Sequence, residues 1–351
     1  MTADVDHRGT TLLECIQLLH EALPELDHDT LDLSTQMLGR RLRAPLMITG
    51  MTGGAEFAGA LNRGLAEAAG RCGIALGVGS QRVMLRHPDV AGDFAVRKYM
   101  PDGLLLGNIG AVQLREYSLR QIEDLVERIE ADGLCVHLNP GQELIQAGGD
   151  RDFRGLCDQI ARLVDRLGER VIVKETGAGL GPRTLAALKR AGVSAVDIAG
   201  AGGTSWTKVE MLCAEEPSRR QLGESLMDWG LPTAFGVMAA RQILGAGSGV
   251  RVIASGGIRS GLDAARAIAA GADLAGMARP VLMAFRAGGT EAVECLLNQT
   301  ADELRAAMLL TGSPNLGALR EAPRVYTGEL RHWLEVQGWL EHRPGDGRRP
   351  C

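Results

Sequence analysis

The densest group of chemically capable side chains in the sequence is HLNPGQE, residues 137–143, where His137, Asn139, Gln142 and Glu143 fall close together. An imidazole, two amides and a carboxylate at this spacing can orient a polar substrate. Glu143 can hold a magnesium ion that takes its remaining ligands from water and phosphate oxygens, or serve as a helix-start acid favoured by the dipole. Lys174, in VIVKET, is one of four lysines in the chain. A cation closing a buried apolar run needs an anionic or electron-rich partner. A Schiff-base nucleophile is the mechanistic competitor, and an ion pair with Glu175 is the plain structural alternative. In AGAGGTSWTKVE (199–210), Thr204 can bond a phosphate or a ring, and Glu210 follows Trp206 by four residues. An acid beside an indole suggests a pocket where a proton is managed, or only a loop anchor and a solvated helix face.

A second set of motifs is built for anions and flat rings. ASGGIRSG (254–261) and GMARP (276–280) each follow an apolar run, and Gly256 and Gly257 allow backbone N–H groups to approach a phosphate closely. In GMTGG (50–54), small residues and Thr52 would let a planar ring lie against the backbone; a capped tight turn reads equally well. GVGSQR (77–82) offers Ser80 and Gln81 as hydrogen-bonding groups and Arg82 as a bidentate anion clamp. Asn108, in GNIG, either binds a ligand or ties down its own loop.

These motifs stand at the ends of short apolar runs: 42–50, 74–80, 103–110, 133–139, 170–176, 195–200, 250–257 and 274–280. Such runs predict strands buried on both faces. Stretches with three- and four-residue apolar spacing, including 57–73, 119–133 and 262–274, predict the helices between them. Eight strands with helical crossovers and a loaded C-terminal end at nearly every strand predict a (β/α)8 TIM barrel. An open doubly wound sheet would load only one or two strand ends. The expectation is a single domain over 1–351, with an N-terminal extension (1–40), a loop insertion (201–232), a helical stretch over 286–336 that caps the barrel or packs against a partner, and a mobile tail (342–351). The 351 residues and 45% hydrophobic content suit such a barrel. A net charge of −5 without a basic block argues against nucleic acid. Seven scattered cysteines with no C-x-x-C pair read as reduced thiols. No apolar run reaches membrane-spanning length, and a cytoplasmic location is expected.

In this order the motifs resemble the type 2 isopentenyl-diphosphate isomerases, FMN-dependent barrel enzymes. The resemblance runs through HEALPELD (20–27), LDLST (31–35), MTGG, GVGSQR, GNIGA, HLNPGQE, VKETG, DIAGAGGTSW, DWGLPTA (228–234), ASGGIRSGLD and LTGSPN (310–315), spanning residues 20 to about 320. It implies FMN contacts at Gly50, Met51, Thr52, Ser80, Asn108, Lys174 and Thr204. It implies a phosphate cradle at Gly256, Gly257 and Arg259, with Ala278 and Arg279 after the last strand. Substrate contacts fall on Arg82, His137, Asn139 and Gln142, the magnesium role on Glu143, and catalytic roles on Gln142, Lys174, Trp206 and Glu210. The implied reaction converts isopentenyl to dimethylallyl diphosphate with reduced FMN, Mg2+ and NADPH as reductant, without net redox change, in a homotetramer or larger assembly. The family's Arg-Lys-x-x-His pattern upstream of HEALPE has no counterpart here, since the first lysine is Lys98. The alternative is therefore a divergent enzyme on the same scaffold that isomerises, cyclises or reduces a modified or longer isoprenoid. The stretch AGAGGTSW lacks the His and Arg pair that an α-hydroxy-acid oxidase needs. Gln142, Glu143 and Glu210 argue against a non-catalytic flavin or phosphate binder.

Overall fold

The computed structural model describes residues 4–51, 58–245 and 247–340. Eight parallel strands close into a barrel: β1 Leu46–Ile48, β2 Ala75–Gly77, β3 Leu105–Gly110, β4 Gly133–Leu138, β5 Val171–Glu175, β6 Ala195–Asp197, β7 Arg251–Ala254 and β8 Leu274–Met277. Strand β8 pairs with β1 through Ala275 and Leu46 to seal the ring. Each strand lies inside the apolar run predicted for it. β1 is shorter at its start: Leu42 belongs instead to an antiparallel hairpin, 35–37 with 40–42, and Pro45 stands between hairpin and barrel.

That hairpin turns at Leu38 (φ 48°) and Gly39 (φ 74°), the paired left-handed geometry that suits the twist of two strands. Its Met37 and Leu42 pack with Met47, Ala75, Leu104, Leu106, Cys135, Ile172, Ala195, Ile253 and Leu274. The N-terminal extension therefore plugs the bottom of the barrel and fills its interior with apolar side chains. A larger cluster between strands and outer helices forms the second layer of core.

Helices cover the barrel: Ala58–Cys72, Leu119–Arg128 and Gly261–Ala269 match predicted stretches. Leu119–Arg128 opens on a capping box of Ser118 and Gln121. The helix Arg279–Leu310 bends at Gly288 and Gly289, where the backbone leaves helical angles. It is the barrel's own eighth helix, packed on Ala58–Cys72 and Gly261–Ala269, rather than a separate cap. The C-terminal helix Gly328–Val336 carries Trp333 to the ring of Phe235, 4.8 Å between centroids, and Trp339 stacks on the same ring at 5.4 Å. The 201–232 insertion forms helices Trp206–Cys213 and Pro217–Leu226, both packed on the short helix Pro140–Ile145. No helix among the described residues is long and apolar enough to cross a membrane. Thr52 and the tail 342–351 lie outside the described residues.

Candidate flavin and substrate site

A cavity of about 1750 Å³ opens at the C-terminal end of the strands. Its walls include Gly50, Met51, Ser80, Arg82, Asn108, His137, Asn139, Gln142, Glu143, Lys174, Thr204, Trp206, Gly256, Gly257, Arg259, Ala278 and Arg279. The barrel brings all of these together although they come from all eight strand ends.

At the floor, the side chains interlock. Asn108 Nδ2 donates to the Val78 carbonyl at 3.1 Å, which fixes the orientation of its amide. Asn108 Oδ1 then lies 2.9 Å from His137 Nδ1. A carbonyl oxygen only accepts, so Nδ1 carries the proton and Nε2 is left as an acceptor. Burial, reinforced by Lys174 and Arg82, holds the His137 pKa down to about 3, so the imidazole is neutral near pH 7. Asn108 thus both lines the cavity and ties strands together. Gly50 packs against this amide: a Cβ there would lie 2.7 Å from Asn108 Nδ2. Gln81 is not a ligand group. It is fully buried, donating to the Leu125 carbonyl at 3.0 Å and accepting from Asn108 N at 2.9 Å.

Lys174 is buried at the end of β5, and its Nζ donates to the carbonyl of Glu175. The Lys174–Glu175 ion pair weighed from sequence does not form. The Glu175 carboxylate accepts instead from the N–H groups of Thr176, Gly177, Ala178 and Gly179 and so orders the β5 loop.

One wall is a relay of side chains. Asn139 Nδ2 donates to Gln142 Oε1 (3.2 Å) and Glu143 Oε1 (2.9 Å), while Gln142 Nε2 donates to Glu210 Oε1 (2.9 Å). Glu143 Oε2 accepts from Asp150 N at 2.9 Å. Trp206 opens its helix behind Ser205, whose Oγ accepts from Lys208 N and donates to the Met227 carbonyl. Glu210, one turn further on, stands outside the cavity lining and reaches it through Gln142. No cluster of three or more metal-ligating side chains occurs among the described residues, so magnesium would rest on Glu143 with substrate and water oxygens.

The opposite end is suited to a phosphate. Gly256 (φ 95°) and Gly257 (φ 73°) adopt angles that favour glycine, and a Cβ on Gly257 would lie 2.6 Å from the Gly202 carbonyl. The N-terminus of the long helix at Arg279 opens on the same space. Arg259 Nη2 pairs with Asp6 Oδ2 at 3.0 Å, and Arg279 pairs with the other oxygen of Asp6. Asp6 is held there by a bridge between its backbone and Thr204. Sequence reasoning missed Asp6, since nothing local links it to residues more than 250 positions away. It also missed Thr49 and Ser255, which line the floor, and Asp197, whose signal was an acid in an otherwise apolar strand.

These residues fit a flavin mononucleotide: close-approach glycines for the ring, a buried cation, two arginines at the phosphate end, and a buried Arg82 Nε without a hydrogen-bond partner among the described residues. Fold and site together define an FMN-dependent (β/α)8-barrel protein. The FMN-dependent dehydrogenase family profile matches residues 139–325. Among solved structures, a mandelate oxidase carrying an FMN adduct superposes with TM-score 0.64 at 18% identity, covering 91% of this chain and 90% of that one. A Pediococcus acidilactici putative lactate oxidase gives TM-score 0.67 at 16% identity over 91% and 87%. At those identities the likeness is one of fold. Proteins named isopentenyl-diphosphate delta-isomerase are much nearer in sequence. That of Synechococcus sp. is 51% identical over 89% of this chain and 88% of its own length. Those of Nostoc sp. and Methanothermobacter thermautotrophicus are 46% identical (91% and 91%) and 43% identical (96% and 93%). The chain belongs to the FMN-dependent, type 2 isopentenyl-diphosphate delta-isomerase family.

Proposed function

We propose that this chain isomerises isopentenyl diphosphate to dimethylallyl diphosphate with reduced FMN and no net redox change. The observation that carries the reading is the Asn139–Gln142–Glu210 chain of hydrogen bonds, which meets at Asn139 and Gln142 the cavity also lined by neutral His137 and buried Lys174. Moving an unactivated double bond requires a proton delivered at one carbon and removed at another. Glu210 would exchange that proton, with Gln142 Nε2 orienting its carboxylate, while Trp206 and the neutral His137 shape a cavity that does not quench a cationic alkene. Bound reduced flavin would supply an electron-rich face that stabilises developing positive charge. Gly50, Met51, Thr52, Ser80, Asn108, Lys174 and Thr204 would contact its ring and chain. Gly256, Gly257, Arg259, Ala278 and Arg279 would hold its phosphate.

Glu143 would hold Mg2+ on the substrate diphosphate, with Arg82 as a direct cation. Binding energy there is remote from the chemistry and can be used to orient the alkene. NADPH as reductant, a cytoplasmic location and a homotetramer or larger assembly belong to the same proposal.

The test is direct. FMN-loaded protein, reduced anaerobically and given Mg2+ and isopentenyl diphosphate, is expected to form dimethylallyl diphosphate, and chelating the metal should stop turnover while FMN stays bound. A reduced, flavin-loaded protein that forms no such product overturns the reading.

A further inference from the structure

Asp197 ends β6, is completely buried, and has no part in the roles above. Its Oδ1 accepts from Ser255 Oγ at 2.5 Å, whereas its Oδ2 is buried without a hydrogen-bond partner among the described residues. A buried carboxylate oxygen in that condition needs a charge nearby. Strands β5 and β6 run in parallel register with Lys174 opposite Asp197. Paired residues of neighbouring parallel strands leave the sheet on the same face, here the barrel interior. Lys174 Nζ uses one of its three donors on the Glu175 carbonyl.

The other titratable groups around this pair do not compete for the ammonium. Burial pushes the Cys135 thiol up to about 12, so it is neutral. His137 is neutral, Arg82 is a like charge, and the Glu175 carboxylate is turned onto the backbone of its own loop. Burial also raises the Asp197 carboxyl, and the Lys174 ammonium is the first influence drawing it back, followed by Ser255 and the Ala199 N–H.

We propose that Asp197 is a positioning residue for Lys174: held by Ser255, its carboxylate is the counter-charge that keeps the ammonium in the barrel interior, turned to the flavin cavity. This rests on the FMN reading of the cavity and not on the identity of the isoprenoid. Without the carboxylate, the Lys174 ammonium would be left between neutral groups and Arg82, with no opposite charge to hold it at the cavity. A reduced, anionic flavin would then lose more than an oxidised, neutral one.

The experiment measures dissociation constants of oxidised and reduced FMN, anaerobically, at pH 6.5 and 8.5, for the full chain and for Asp197→Asn, Lys174→Met and the double variant. Asp197→Asn is expected to cut the preference for reduced over oxidised FMN about tenfold at pH 8.5. At pH 6.5 more of the reduced flavin is itself neutral, and the effect should shrink. In the Lys174→Met background the same substitution is expected to change the preference less than twofold, as coupled sites require. Equal weakening of both redox states at both pH values, or an undiminished effect without Lys174, overturns the proposal. Should Asp197→Asn fail to fold, Ser255→Ala is expected to lower the same preference about threefold, and no change there overturns it. Unmodified protein that takes up no FMN overturns the cofactor reading itself. Normal coupling without dimethylallyl product overturns only the isomerase reading.

Discussion

Gln142 Nε2 donates to Glu210 Oε1 at 2.9 Å, and this bond connects a carboxylate outside the cavity lining to an amide inside it. Gln142 is fixed from its other end by Asn139, so the carboxylate's access to the cavity runs through an oriented amide. Glu210→Gln keeps an acceptor for Gln142 but removes the exchangeable proton. We expect kcat to fall roughly 10²–10⁴-fold, the range for loss of a general acid or base, with FMN affinity unchanged. Steady-state kinetics alongside flavin titration measure both; an unchanged kcat removes Glu210 from the chemistry.

Asp6 neutralises Arg259 and Arg279 at the end of the cavity assigned to the phosphate. Asp6→Asn should release both guanidinium groups for a dianionic phosphate. Because the pair is partly exposed, the gain is limited to about 1 kcal/mol, or roughly fivefold tighter FMN binding, and it should shrink with added salt. Weaker binding in the variant would show that the carboxylate supports the arginines rather than competing with the ligand.

The depressed pKa of His137 has a consequence for stability. The unfolded chain binds a proton near the ordinary histidine pKa of 6.5, whereas the folded protein holds this imidazole neutral down to about 3. The stabilisation from a neutral His137 is therefore fully present above pH 6.5 and is lost as pH falls toward 3, by at most about 1.4 kcal/mol per pH unit. His137→Gln should flatten that slope between pH 7 and 5 in denaturant titrations of the flavin-free protein. The same slope in variant and parent would assign the acid sensitivity elsewhere.

Gly257 sits at φ 73° with Thr11 and the Gly202 carbonyl closely packed on it. Gly257→Ala combines a left-handed backbone with a clash and should cost about 1–3 kcal/mol of stability. The displaced loop should also bind FMN more weakly. Thermal unfolding with and without FMN separates the two effects, and an unshifted midpoint would count against the described loop geometry.

Asp273 supports the barrel away from the cavity. It binds Arg241, Arg251 and Arg320 and accepts from Val252 N at 2.8 Å, with 8% of its side chain exposed. Asp273→Asn would leave three cations around a buried amide, and we expect about 3 kcal/mol lower stability. FMN affinity of the folded fraction should not change. If chemical denaturation gives the parent's midpoint, the cluster contributes nothing net.

Strand positions and strand-end chemistry were legible in the sequence because both are local. A run such as VIVKET states by itself that it is buried and ends in a cation, and HLNPGQE states that polar groups follow a strand. Repetition of that arrangement eight times was enough to specify a parallel barrel, because parallel neighbours require crossovers and a barrel gathers their ends on one face. A phosphate was legible in the glycine-rich turn after the seventh strand, where a ligand-free turn was the alternative, and the flavin was legible only through the family resemblance that the motifs carry together. What the tertiary structure decided depends on contacts between distant residues. It buried Gln81 between Leu125 and Asn108 rather than in the cavity, turned Glu175 away from Lys174, placed Glu210 behind Gln142, and carried Asp6 to two arginines. Sequence spacing states which face of its own strand or helix a side chain occupies. Closure of the barrel alone fixes which partner from another element meets it, and that meeting sets each group's proton, charge and direction.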